Sequence, residues 1–148
     1  MDLTRITNGV VGGVMPVLAI SGAGAATIKT TNAVNVKIDG VVSTIAAATL
    51  AALTTALNFA TLSTAVIAVY VNAAGTSTYA LSNVVLNTAI AANTIWPTTN
   101  TVAQEVPGKA LLGWIIVKST SAAFVGGTTL LDAGTFTVTY LDKPAVTI

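Results

Sequence analysis

The sequence predicts an all-β protein: a β-sandwich or jelly-roll-like domain with a Gly-rich N-terminal arm and room for one short helix. Three observations carry this expectation. Short β-branched or alternating segments recur along the chain. Turn chemistry (Asp-Gly, Asn-x-x-Gly, Pro-Gly, Gly-Gly) separates them. The polar positions are filled mainly by Thr and Asn, with charged residues at only 7% of the 148 residues against 53% apolar. Turns between short strands are the pattern of sandwiches, jelly rolls and barrels.

Residues 1–24 are apolar and rich in Gly, and they lack strict alternation. They read either as an arm that takes its structure on a partner or as an ordinary edge strand of the same domain. Residues 25–148 read as a single β-rich domain. Within it, residues 27–31 are β-branched, and residues 33–38 alternate so that Val34, Val36 and Ile38 share one face. Asp39-Gly40 then leads into residues 41–45. A strand, Asp-Gly and a second strand is a strong hairpin signal, because both turn residues tolerate positive φ.

Residues 46–62 are ambiguous. Leu50, Leu53 and Leu57 fall at i, i+3 and i+7, as on one helix face. The repeated Thr residues lower helix propensity. A short helix or an irregular connection is expected. Residues 65–71 form a continuous apolar run, expected to be a strand buried on both faces or by an interface. A turn over 72–75 and a returning strand over 76–81 follow, and residues 82–101 read as a long loop. Residues 106–109 (Val-Pro-Gly-Lys) suit a type II turn. Strands are expected over 110–118 and 135–140, the latter with Phe136, Val138 and Tyr140 on one face.

Composition excludes several classes of function. Six basic residues face five acidic ones, a net charge of +1, and the lysines form no run. No basic footprint for nucleic acid exists. With neither Cys nor His, no disulfide framework and no Cys/His metal site can form. Mean hydropathy is +0.82, and no charged residue falls between Asp39 and Glu105. Residues 45–71 are long enough to span a bilayer, yet Thr, Asn and Ser interrupt them throughout and no flanking basic cluster or aromatic belt is present. A membrane span is therefore not expected. Residues 10–20 with the small residues 23–25 superficially resemble a leader, but Gly9, Gly12, Gly13 and Pro16 break a helical apolar region. A chain so poor in charge lacks self-repulsion and is expected to associate.

No catalytic constellation emerges. The carboxylates are Asp2, Asp39, Glu105, Asp132 and Asp142, scattered and mostly at turn signals. Lys118 beside Ser119 and Ser121 reads as a strand end rather than a nucleophile pair. P-loop, dinucleotide, nucleophile-elbow and calcium-loop motifs are absent. No enzyme, cofactor or metal is expected. The candidate functional residues are interface residues: Val10, Val11, Val14 and Met15 in the N-terminal segment, and Trp96 before Pro97, since Trp is enriched at interface hot spots. Trp114, inside an apolar strand, reads as core.

Residues 27–40 (TIKTTNAVNVKIDG), 106–117 (VPGKALLGWIIV) and 126–130 (GGTTL) resemble, in order and turn signature, segments of head-decoration (capsid cement) proteins of tailed bacteriophages. The similarity spans residues 25–142. It implies a β-sandwich or jelly-roll virion subunit on the outer capsid surface, seated as a dimer or trimer across joints between major capsid proteins, without catalytic residues. Residues 40–104 depart from it, being poorer in charge than the resemblance implies. The alternative expectation is a receptor- or glycan-binding fibre or spike module using Trp96.

Overall fold

The computed structural model describes residues 8–93, 97–98, 102 and 105–143. These fold into antiparallel sheets with one short helix. In chain order the strands are β1 (Gly9–Val11), β2 (Leu18–Ile20), β3 (Ile28–Thr30), β4 (Val34–Ile38), β5 (Val41–Ile45), β6 (Asn58–Phe59), β7 (Ser63–Val71), β8 (Ser77–Leu81), β9 (Val85–Leu86), β10 (Ala110–Ser119), β11 (Phe124–Val125) and β12 (Phe136–Asp142). Helix α1 (Asn87–Ala91) follows β9. The main sheet has the order β12-β10-β7-β8, with β9 also on β7; a smaller sheet has the order β1-β4-β5. Two strand pairs, β2 with β3 and β6 with β11, complete the framework.

The arrangement is sandwich-like, and the side-chain period explains why. Val34, Val36 and Ile38 on β4 face the same core as Ile67, Val69 and Val71 on β7 and Leu112, Ile115 and Val117 on β10. Every residue of β7 is buried. Its second face, with Ala68 and Tyr70, packs with Leu111 and Val102, and Val106 and Trp114 close over that cluster. The connection between β9 and β10 therefore covers the outer face of the main sheet. This is the two-sided burial expected of the apolar run, and here it is achieved within one chain.

Turn chemistry behaves as the sequence predicts. Asp39 (φ 49) and Gly40 (φ 88) make a two-residue hairpin turn between β4 and β5, the geometry that matches strand twist. Gly108 has φ 71, and Lys109 N–H closes the turn on Val106 O at 3.1 Å. On β10 the register slips between Leu111 and Gly113. That bulge shifts the alternation by one, so Leu112 and Ile115, three positions apart, face one core while Leu111 and Trp114 face the other cluster. Gly113 has no room for a side chain, since a Cβ there would lie 2.3 Å from Leu141 O.

For residues 46–62 the irregular connection holds of the two readings, and one expectation, the loop over 82–101, changes. Residues 46–62 are not helical: Thr30 N–H bonds Ala48 O, Leu50 N–H bonds Ile28 O, and Lys29 bridges Thr49. The segment runs irregularly beside β3, and Leu50, Leu53 and Leu57 are buried from that path instead. The one helix of the described residues lies at Asn87–Ala91, inside the stretch read as loop. Of the two readings open for the N-terminal segment, its described part takes the edge-strand one: β1 pairs with β4 and β2 with β3.

Candidate functional site

Three acidic side chains, Asp39, Asp132 and Asp142, serve as hydrogen-bond acceptors that fasten loops. Asp142 Oδ1 accepts from Leu18 N–H at 2.8 Å, tying β2 to the end of β12. Asp132 Oδ2 accepts from Gly24 N–H at 2.7 Å. Asp39 Oδ1 accepts from Asn8 Nδ2 at 3.1 Å, while Asp39 N–H donates to Asn8 Oδ1 at 2.8 Å. Thus each sits at a separate junction, bound to the backbone or an amide. Among the described residues, no group of three or more His, Cys, Asp or Glu is placed to hold a metal ion. Lys118 is exposed on β10, and Ser119 donates its hydroxyl to Ala122 O, a loop closure rather than a Ser–Lys pair.

Described residues line two hollows at the surface. A polar one of about 330 Å³ is lined by Asn8, Asp39, Glu105, Val106 and Pro107. The larger, of about 450 Å³, lies between α1 and the outer face of the main sheet, with Ile90, Ala91, Pro97, Ile116, Lys118 and Thr139 among its walls. Its amide is already committed: Asn87 accepts from Thr64 at 2.7 Å and donates to Ser119 O at 2.7 Å. The polar hollow brings Asp39 and Glu105 to one wall, with Asp39 already engaged by Asn8, and Lys118 is the one titratable side chain among the described residues lining the larger hollow.

The surface is apolar instead, in separate patches. Val14, Met15 and Val17 are exposed on the β1–β2 connection, held by Asn32, whose Nδ2 donates to Met15 O at 2.8 Å. Leu62, Val84 and Leu86 are exposed around the start of β7, where Asn87 N–H bonds Leu62 O. Val41 and Val42 are exposed on β5, at 64% and 50%. Of the interface residues expected from sequence, Val14 and Met15 are on the surface, whereas Val10 (1%) and Val11 (6%) are inside the molecule's own fold. The reason is the pairing of β1 with β4, which turns Val10 to the core beside Val36. Trp96 lies outside the described residues. Sequence reasoning missed Val41 and Val42 as surface residues; the clue was the lack of strict alternation in β5 compared with β4.

Trp114 is half-buried rather than fully core. Its indole N–H has no hydrogen-bond partner, and the Lys143 ammonium sits 5.4 Å from the ring centre, within cation–π range. No helix of the described residues is long and apolar enough to cross a membrane. Comparison with protein-family models, curated proteins and solved structures returns no match.

Proposed function

We propose that this chain is a structural virion protein of the head-decoration type. On this reading it binds the outer surface of a phage capsid as a dimer or trimer and stabilises contacts between major capsid proteins. The observation that carries the reading is the surface. An all-β domain with exposed apolar patches at the β1–β2 connection, at β5 and at the start of β7 has an uncharged tract from residue 40 to residue 104. Clusters of exposed large apolar side chains on a folded domain mark association sites. The resemblance of residues 25–142 to decoration proteins supplies the kind of scaffold.

The test is reconstitution. Purified chain is added to capsid shells stripped of accessory proteins, and binding is read by sedimentation and shell strength by thermal disruption. Saturable binding with a raised disruption temperature is expected. Absence of the chain from purified particles by mass spectrometry, or binding with unchanged shell stability, rejects the reading. Val14→Asp with Met15→Asp is expected to weaken binding at least tenfold without unfolding the domain, because both side chains already face solvent.

A further inference from the structure

We propose that β5 is a self-association edge, pairing antiparallel with β5 of a second copy about a two-fold axis at Ser43. Among the described residues, sheet order leaves β5 with one neighbour, β4. The two-residue turn makes Ile38 and Val41 the first hydrogen-bonded pair. With the register Val36↔Ser43 and Val34↔Ile45, alternation then directs the backbone groups of Val41, Ser43 and Ile45 at β4. Those of Val42 and Thr44 point outward, ready for another strand.

The usual protections of such an edge are missing. β5 (VVSTI) has no charge, no Pro and no bulge, the devices by which native sheets blunt an edge. The other long edges are occupied nearby. Beside β8, Ala51 accepts a hydrogen bond from the Tyr79 hydroxyl and donates to Ser77 Oγ. The end of β12 is held by Leu18. β1 has three residues.

The occupant is a second copy because the edge is self-complementary. Centring on Ser43 is the register that keeps all five positions of each strand opposite a strand position. Val42 then faces Thr44 of the second copy as a hydrogen-bonded pair, and the symmetric pair repeats it, giving four backbone hydrogen bonds. Val41 faces Ile45 of the second copy, on the core side of the sheet. Val41 is 64% exposed whereas Ile45 is 6% exposed at the margin of the core, so each open Val41 meets a core-edge Ile, twice. The turn of one copy arrives at Ala46 and Ala47 of the other, which are exposed, small and uncharged. An isologous contact of this kind closes after two copies and yields one continuous sheet, β1-β4-β5 followed by its symmetry mate.

Strand pairing alone buries less than the roughly 1,600 Å² of a standard interface. The dimer is therefore concentration-dependent in solution and is consolidated where copies are held close together. The inference stands on the β5 geometry alone and is tested with the isolated chain, so its failure and that of the capsid reading are separable.

The chain has no cysteine, which makes cross-linking clean. At a non-hydrogen-bonded pair the two Ser43 Cα atoms would be about 4.5 Å apart, inside the range a disulfide spans. Two Val42 positions in this register lie roughly 8 Å apart, beyond it. Under mild oxidation Ser43→Cys is expected to give at least tenfold more covalent dimer than Val42→Cys or the exposed control Leu130→Cys. Sedimentation velocity of the unmodified chain is expected to show mass rising with concentration, and Val42→Glu is expected to abolish the rise while keeping the thermal melt. Equal cross-linking at all three positions, or an unchanged Ser43→Cys yield after adding Val42→Glu, overturns the inference. A mass that rises with concentration while Ser43→Cys forms no covalent dimer overturns it in favour of another contact between copies.

Discussion

Single residues show how little slack the fold has where strands approach closely. A Cβ at Gly113 would meet Leu141 O at 2.3 Å and Leu18 Cδ1 at 2.9 Å; one at Gly126 would meet Thr54 O at 2.2 Å. Both contacts include backbone, which cannot rotate away. Gly113→Ala is expected to destabilise the domain by about 2 kcal/mol or more, as overpacking does, read as a lower midpoint in urea. Ala at Gly134, where nothing lies within 4 Å, is the matched control and should be near neutral. The tyrosines set the alkaline limit. Burial pushes the Tyr70 and Tyr79 hydroxyls up from their ordinary pKa, and at Tyr140 burial is joined by the nearby Asp132 charge. A raised folded-state pKa means that the folded state holds its proton more tightly. The associated stability is fully present below about pH 10, the unfolded value, and is lost as pH climbs through the folded pKa. Melting temperature should fall above about pH 10, and Tyr140→Phe should flatten that fall.

At the scale of elements, legibility followed the locality of the signal. The β4–β5 hairpin was readable because its cause is local: two turn residues able to take positive φ, flanked by β-branched residues. Gly40→Ala is accordingly expected to cost about 1–2 kcal/mol, the penalty for a Cβ in the left-handed region, measurable by chemical denaturation. The twofold burial of β7 was readable from its composition. Sequence leaves the 46–62 segment open between helix and irregular connection, because Leu50, Leu53 and Leu57 satisfy a helical spacing while the path is set by backbone bonds joining Ala48 and Leu50 to β3 and Leu57 to Gly126, neighbours distant in sequence. Helix α1 escaped for a similar reason. It has five residues and no side-chain N-cap, and Asn87 is held by Thr64 and Ser119, contacts that sequence spacing does not reveal. Of the candidate interface residues, Val14 and Met15 are exposed, whereas the pairing of β1 takes Val10 and Val11 into the core. The broken alternation of β5 hinted at its exposure, but its place at a sheet edge depends on sheet order, which no local pattern encodes.

At the scale of the whole molecule, the missing charge has a thermodynamic consequence. Asp39, Asp132 and Asp142 spend carboxylate oxygens on backbone and amide donors, as with Asp142 on Leu18 and Asp132 on Gly24. Stability therefore rests on burial: one core shared by the two sheets and a second cluster on the outer face of the main sheet. Apolar burial is not screened by ions, whereas surface charge interactions weaken beyond a Debye length of about 10 Å at 0.1 M salt. Moving from 20 mM to 500 mM sodium chloride should thus leave the melting temperature of the dilute chain almost unchanged, by differential scanning calorimetry. Sulfate should raise it, because excluded salts strengthen burial. Association should respond in the same direction. Apolar patches and an uncharged sheet edge hold together as well in high salt as in low, so light scattering should show the assembled fraction undiminished by chloride and increased by sulfate. Dissociation on adding chloride would instead mean that the few charges, not the charge-free tract, carry the contacts between subunits.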